Sequence, residues 1–132
     1  MGLEEKRIQQ DYVKTRIPER LKQLQEATGG ATASLQVDFD WDTLMDSRPA
    51  LDGLWSCWEQ PIGAIEAICS DDLGKEAVKK GVKKVVIRNV DDNSKVAATF
   101  DKGVLIVSFN FKEGASGTTG WDVIKKAVED KL

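Results

Sequence analysis

The chain of 132 residues carries 19 basic and 22 acidic side chains, a formal net charge of −3 and no histidine. That length fits one domain whose core needs no metal or disulfide staple, and a composition 41% hydrophobic and 31% charged argues against disorder. Without histidine there is no Ser-His-Asp or Cys-His nucleophilic site, no His-ligated zinc and no histidine pH switch. Catalysis would have to rest on carboxylates, lysine, tyrosine or a bound cofactor, and no residue pattern calls for a cofactor.

No stretch reaches the roughly 18 uninterrupted apolar residues of a membrane span. The opening Met-Gly-Leu-Glu-Glu has acids and no apolar core, so it does not read as a secretory signal. Lys6 stands where the myristoylation pattern of a Gly2 terminus has Ser or Thr. The expectation is a cytoplasmic protein without membrane contact.

Residues 3–28 read as a helix rich in Glu, Lys, Arg, Gln and Leu, with Ile8, Tyr12, Val13, Ile17, Leu21 and Leu24 as its apolar stripe. Pro18 predicts a kink or a fresh helix start near Arg16, and Gly29-Gly30 a stop. Residues 34–42 alternate strictly, with Leu35, Val37, Phe39 and Trp41 on one face and Gln36, Asp38, Asp40 and Asp42 on the other. Period two predicts a half-buried strand.

The most apolar stretch follows, at 50–69. Leu51, Trp55, Trp58, Ile62, Ile65 and Cys69 alternate spacings of four and three, one face of a helix, and Leu54, Ala64 and Ile68 widen it. Ser47 is placed to cap this helix and Pro49 to start it, while Pro61 predicts a split into segments near 49–59 and 61–69. Cys57 and Cys69 would stand about 18 Å apart on a straight helix, beyond disulfide reach, which favours two small buried thiols in a reducing compartment. A fold-back at Pro61 would leave a disulfide open.

A short helix over 72–80 ends in Lys79-Lys80, which suits the helix dipole. Three β-rich runs, 82–90, 95–100 and 104–111, read as a meander, with Asp101-Lys-Gly103 as a three-residue hairpin loop bearing a G1 bulge. Val104 and Ile106 make the last strand apolar on both faces. Thr119 and Asp122 resemble a capping box for a final amphipathic helix that starts at Trp121. The whole reads as an α+β fold, a single domain over 1–132 in the order α-β-α-α-β-β-β-α. Its four-stranded, mostly antiparallel sheet is packed with helices.

The run from Ile68 to Asp91, ICSDDLGKEAVKKGVKKVVIRNVD, resembles a stretch of short, uncharacterised bacterial α+β proteins with no established activity. The resemblance implies a bacterial, intracellular setting and no functional residues.

Four patterns are candidates for chemistry. Asp38, Asp40 and Asp42 on one strand face could converge on Ca²⁺ or Mg²⁺, against a plain solvated strand face. The loop holding Gly114, Gly117, Thr118 and Thr119 precedes a helix start and could admit a phosphate, although it lacks the Gly-Lys-Ser/Thr ending of a P-loop. Trp55, Trp58 and Phe109 could line a ligand pocket with Cys57 near its rim, against the commoner role of aromatic residues as core. Lys75, Lys79, Lys80, Lys83, Lys84 and Arg88 form a basic run without interleaved aromatic residues, which makes nucleic acid an improbable partner.

The net charge hides an asymmetry. Residues 34–72 carry nine acids against Arg48 alone, whereas 73–132 carry twelve bases against eight acids. Opposite signs can meet within one domain or across a dimer interface. With no catalytic constellation, the reading favoured is a small non-enzymatic interaction protein that self-associates, as a homodimer, or binds a protein partner. A small-molecule or phosphate-binding domain using the 114–120 loop or a Trp-lined pocket is the alternative.

Overall fold

The computed structural model describes residues 2–45 and 47–132, and the side chains of 55–57 and 114–116 lie outside that description. Helix α1 (Leu3–Asp11) passes through a π-helical turn at Tyr12–Arg16 into α2 (Ile17–Ala27). The irregularity expected near Arg16 takes this form. Pro18 sits in the first turn of α2, where a missing N–H costs little, and the wide turn before it makes room for the ring. Gly29 and Gly30 then turn the chain with φ of 63° and 88°.

Strand β1 (Gln36–Phe39) is shorter than the alternation of 34–42 predicts, because Trp41–Leu44 forms a one-turn helix, α3. Thr43 drives the change. Its hydroxyl donates to the Asp40 carbonyl at 2.8 Å and accepts the Asn89 N–H at 3.0 Å, which closes the turn and ties it to the next strand. Trp41 leaves the strand and stacks on Phe39, with ring centroids 5.3 Å apart.

Helix α4 (Arg48–Ile68) is a single helix of 21 residues, capped by Ser47, whose Oγ accepts the Ala50 N–H at 3.2 Å. Pro61 does not divide it. Leu54 and Trp58 before the proline and Ile62 and Ile65 after it are all fully buried, and that continuous burial outweighs one lost hydrogen bond. Helix α5 (Asp72–Gly81) starts at Asp71, whose carboxylate accepts the Gly74 N–H at 2.7 Å.

Three further strands are β2 (Lys84–Asn89), β3 (Ala97–Asp101) and β4 (Val104–Phe109). The sheet order is β1-β2-β4-β3, with β1, β2 and β4 parallel and β3 antiparallel to β4. The sheet is therefore mixed, and the mostly antiparallel meander is corrected. Parallel pairing of β1 with β2 needs a helical crossover, which α4 and α5 supply. Strand β4, apolar on both faces, takes an interior place, and β3 with Ala97, Thr99 and Asp101 goes to the edge. Residues 90–96 reach that edge by crossing the end of β4. The hairpin is tighter than a G1 bulge. Asp101 pairs with Val104 across a two-residue turn, with Lys102 and Gly103 at φ 52° and 83°.

A 3₁₀ segment (Phe111–Gly117) leads to helix α6 (Trp121–Glu129). Gly120 is its N-cap and gives no side-chain cap, so the Thr119/Asp122 capping box does not form. Gln60 of α4 accepts the Trp121 N–H instead, at 3.0 Å. The core lies between α4 and one sheet face, formed by Val37, Phe39, Val85, Ile87, Leu105, Val107 and Phe109. Arg20 fastens α2 to α4 through a bidentate bond to Glu59 (2.9 Å) and a third contact to Glu66 (3.2 Å). Among the described residues, no helix is long and apolar enough to cross a membrane.

Truncating a side chain in this seam has a calculable cost. Leu54→Ala is expected to lower the unfolding free energy by about 2–5 kcal/mol in urea titrations, whereas Val123→Ala on exposed surface should stay within about 0.5 kcal/mol of the parent.

Candidate functional site

Among the described residues, no helix packs on the second face of the sheet. Register sets its residues in three rows. Gln36, Lys84, Val104 and Asp101 form one, Asp38, Val86, Ile106 and Thr99 the next, and Arg88, Ser108 and Ala97 the third. Val86, Val104 and Ile106 are half-buried in the middle of the face, with exposed Gln36, Asp38, Ala97, Thr99 and Asp101 along its two edges. The acidic and basic halves of the chain meet here, since Asp38 pairs with Lys84 at 2.7 Å and Asp40 with Arg88 at 3.7 Å. The charge asymmetry is thus balanced in part within the chain.

These pairings bear directly on the carboxylate row. Asp38 is held by Lys84, Asp40 closes the strand, and Asp42 belongs to α3, so the three do not share one strand face. Among the described residues, no group of three or more Asp, Glu, Cys or His side chains could hold a metal ion.

The aromatic candidates are interior. Trp58 and Phe109 are both 0% exposed; Trp58 packs on Phe39 with centroids 5.6 Å apart, and Phe109 meets Phe111 edge-on at 6.0 Å. They belong to the packed core, while the side chains of Trp55 and Cys57 lie outside the described residues. Trp121, expected on an apolar face, is 49% exposed.

Gly114 falls within the 3₁₀ segment Phe111–Gly117. Gly117 is buried, and its carbonyl accepts the Asn110 N–H at 2.8 Å. A Cβ at Gly117 would run into the Asn110 carbonyl oxygen, so the glycine is needed for close backbone approach within the fold rather than for an approaching phosphate. Thr118 and Thr119 are half-buried beside it. The basic run divides between α5, β2 and Lys83 between them, and Lys80 pairs with Glu76 at 3.0 Å, Lys84 with Asp38 of β1 and Arg88 with Asp40 just after it.

The carboxyl ends of the three parallel strands hold a polar cluster that patterning missed. Asn89 donates from Nδ2 to the Thr43 carbonyl at 3.3 Å and accepts the Phe111 N–H on Oδ1 at 3.3 Å. Asn110, only 3% exposed, donates from Nδ2 to Asn93 Oδ1 at 2.9 Å. The signal was present as asparagine at the end of β2 and directly after β4, where open α/β sheets carry ligands.

Two buried groups are shifted by their surroundings. Burial pushes the Cys69 thiol above its ordinary 9.0, with nearby Lys75 acting the other way, and Cys69 is a free thiol. Burial likewise raises the Tyr12 phenol above 10.0, against the opposing pull of Arg16. The folded chain keeps both groups protonated at a pH where the unfolded chain has ionised them. Stability is therefore full below the unfolded values and is lost as pH rises from them through the higher folded values. The urea midpoint should begin to drop above about pH 9, where Cys69 contributes, and drop further above about pH 10, and only the drop above pH 10 should be smaller in Tyr12→Phe.

Gly117→Ala is expected to cost about 1–3 kcal/mol with no ligand present, measured by thermal or urea unfolding. An unchanged stability would remove the close-approach explanation.

Compared with protein families, with curated proteins and with solved structures, the chain matches none, which leaves the geometry of the site itself as the ground for function.

Proposed function

We propose that the protein is a small, non-enzymatic interaction protein of the cytoplasm that self-associates or binds a protein partner. The observation that carries this reading is the sheet face without a helical cover, where Val86, Val104 and Ile106 form an apolar centre. Such a centre, rimmed by the Asp38–Lys84 and Asp40–Arg88 pairs, has the apolar-core and polar-rim composition of an interface. Most domains that contain parallel strands cover both faces of the sheet, so a second cover is the expected completion. The 68–91 run is the support for a bacterial setting. Phosphate binding by the 114–120 loop loses its support with the structural role of Gly117, and a Trp-lined pocket loses its support with the closure of Trp58 in the core.

Ile106→Glu places a charge at the middle of this face without touching the α4 seam. Native mass spectrometry and cross-linked capture from cell extract are expected to find the parent protein as a dimer or with a retained protein, and Ile106→Glu without either. A parent chain that stays monomeric and retains nothing would end this reading.

A further inference from the structure

At the amino ends of β2 and β4, a cavity of about 390 Å³ lies between the end of α5, the β3–β4 hairpin and the residues that follow α6. Ala77, Phe100 and Leu132 form its apolar side, and Lys80, Lys102 and Lys131 its charged side. Asp101 is the one acidic side chain among the lining residues. Glycines bring these walls together. The Gly103 carbonyl accepts the N–H groups of Lys83 at 2.8 Å and Lys84 at 3.1 Å, which ties the hairpin to the end of α5. A Cβ at Gly81 would stand 2.6 Å from Leu132 Cδ2, so α5 and the residues after α6 approach closely there.

Three ammonium groups around one cavity repel one another, and the chain offsets them only in part. Lys80 bonds Glu76 at 3.0 Å in an exposed pair of the kind that contributes little, and among the described residues Lys102 and Lys131 have no ion pair. Helix dipoles account for Lys80 at the end of α5 and Lys131 just past α6. They do not account for Lys102. Among the described residues it is the one non-glycine with a positive φ, 52°, in a turn where asparagine or glycine sits with less strain. Lysine at that position lowers stability, and its presence is intelligible where the charge meets a ligand.

We infer that this cavity binds a small organic phosphate, a monoester whose phosphoryl group meets Lys102 and Lys131 and whose carbon portion lies on Ala77, Phe100 and Leu132. A phosphate monoester brings about −1.5 to −2 charge at neutral pH and three acceptor oxygens, so it answers several ammonium groups at once. Lysine ammoniums are compact point charges suited to such oxygens, whereas a carboxylate is best matched by an arginine fork, and no arginine lines the cavity. The volume falls in the range of about 300–1,000 Å³ that small-molecule sites occupy. Neither Gly114, Gly117 nor Ile106 lines it, so the site is distinct from the 114–120 loop and does not rest on the interaction reading.

The test is an NMR titration of the full chain with phenyl phosphate, following the backbone amide signals of Lys102, Gly103 and Lys131. Inorganic phosphate, which lacks the carbon portion, and benzoate, which carries a single charge, are the comparison probes. Phenyl phosphate is expected to shift these signals saturably with a Kd at or below about 10 mM, and both comparison probes to bind at least about threefold more weakly. Lys102→Asn removes the charge and suits the turn, so it should raise Tm by about 1–4 °C while weakening phenyl phosphate by about threefold or more. A lysine kept only for the fold would not give higher stability together with lost binding. Lys131→Gln, at an exposed position, is an independent check with the same expected weakening. Ile106→Glu should bind phenyl phosphate as the parent does, which separates failure here from failure of the interaction reading. No saturable shift, equal binding of inorganic phosphate, or unchanged binding in Lys102→Asn would overturn the inference.

Discussion

Everything in this fold hangs on one seam, the burial of helix α4 against a single face of the sheet. Leu54, Trp58, Ile62 and Ile65 are fully buried along about three turns of that helix, opposite Val85, Ile87, Leu105, Val107 and Phe109. The energy of that contact lets α4 run unbroken through Pro61. Neighbouring elements then register against α4 by polar contacts. Arg20 fixes α2 through Glu59 and Glu66, and Gln60 supplies the cap that α6 lacks in its own sequence. Arg48 adds an exposed tie to Glu4 of α1 at 3.1 Å, the kind of surface pair that contributes little on its own.

Concentrating the helices around α4 leaves the other sheet face to its own side chains. The sheet manages that face by pairing charges across β1 and β2 and by keeping Val86, Val104 and Ile106 half-buried among them. At one end the 90–96 connection crosses the strand ends, where Asn93 bonds Asn110 at 2.9 Å, and at the centre Val86, Val104 and Ile106 are half-buried.

Much of this was legible in the primary structure. The α4 stripe, the Ser47 cap and the start of α5 at Asp71 all follow from local side-chain chemistry and spacing, which act over three or four residues. The candidate site was less legible. Glycines 114 and 117 and the aspartates at 38, 40 and 42 form conspicuous patterns. Yet composition does not distinguish a glycine that admits a ligand from one that admits Asn110, nor a free carboxylate row from one already neutralised by Lys84 and Arg88.

The sequence by itself determined roughly where the longer helices and the four strands lie and which side of most of them faces the core, because hydrophobic period and capping are local properties. Only the tertiary structure decided the strand order, the parallel pairing of β1, β2 and β4, and the end of β1 at Phe39. It alone also brought Arg88, Ser108, Asn110 and Asn93 to one corner. Those outcomes depend on which nonlocal burial wins. Strand β4 is apolar on both faces and gains most from an interior place, so β3 is displaced to the edge and the intervening connection is carried across the strand ends.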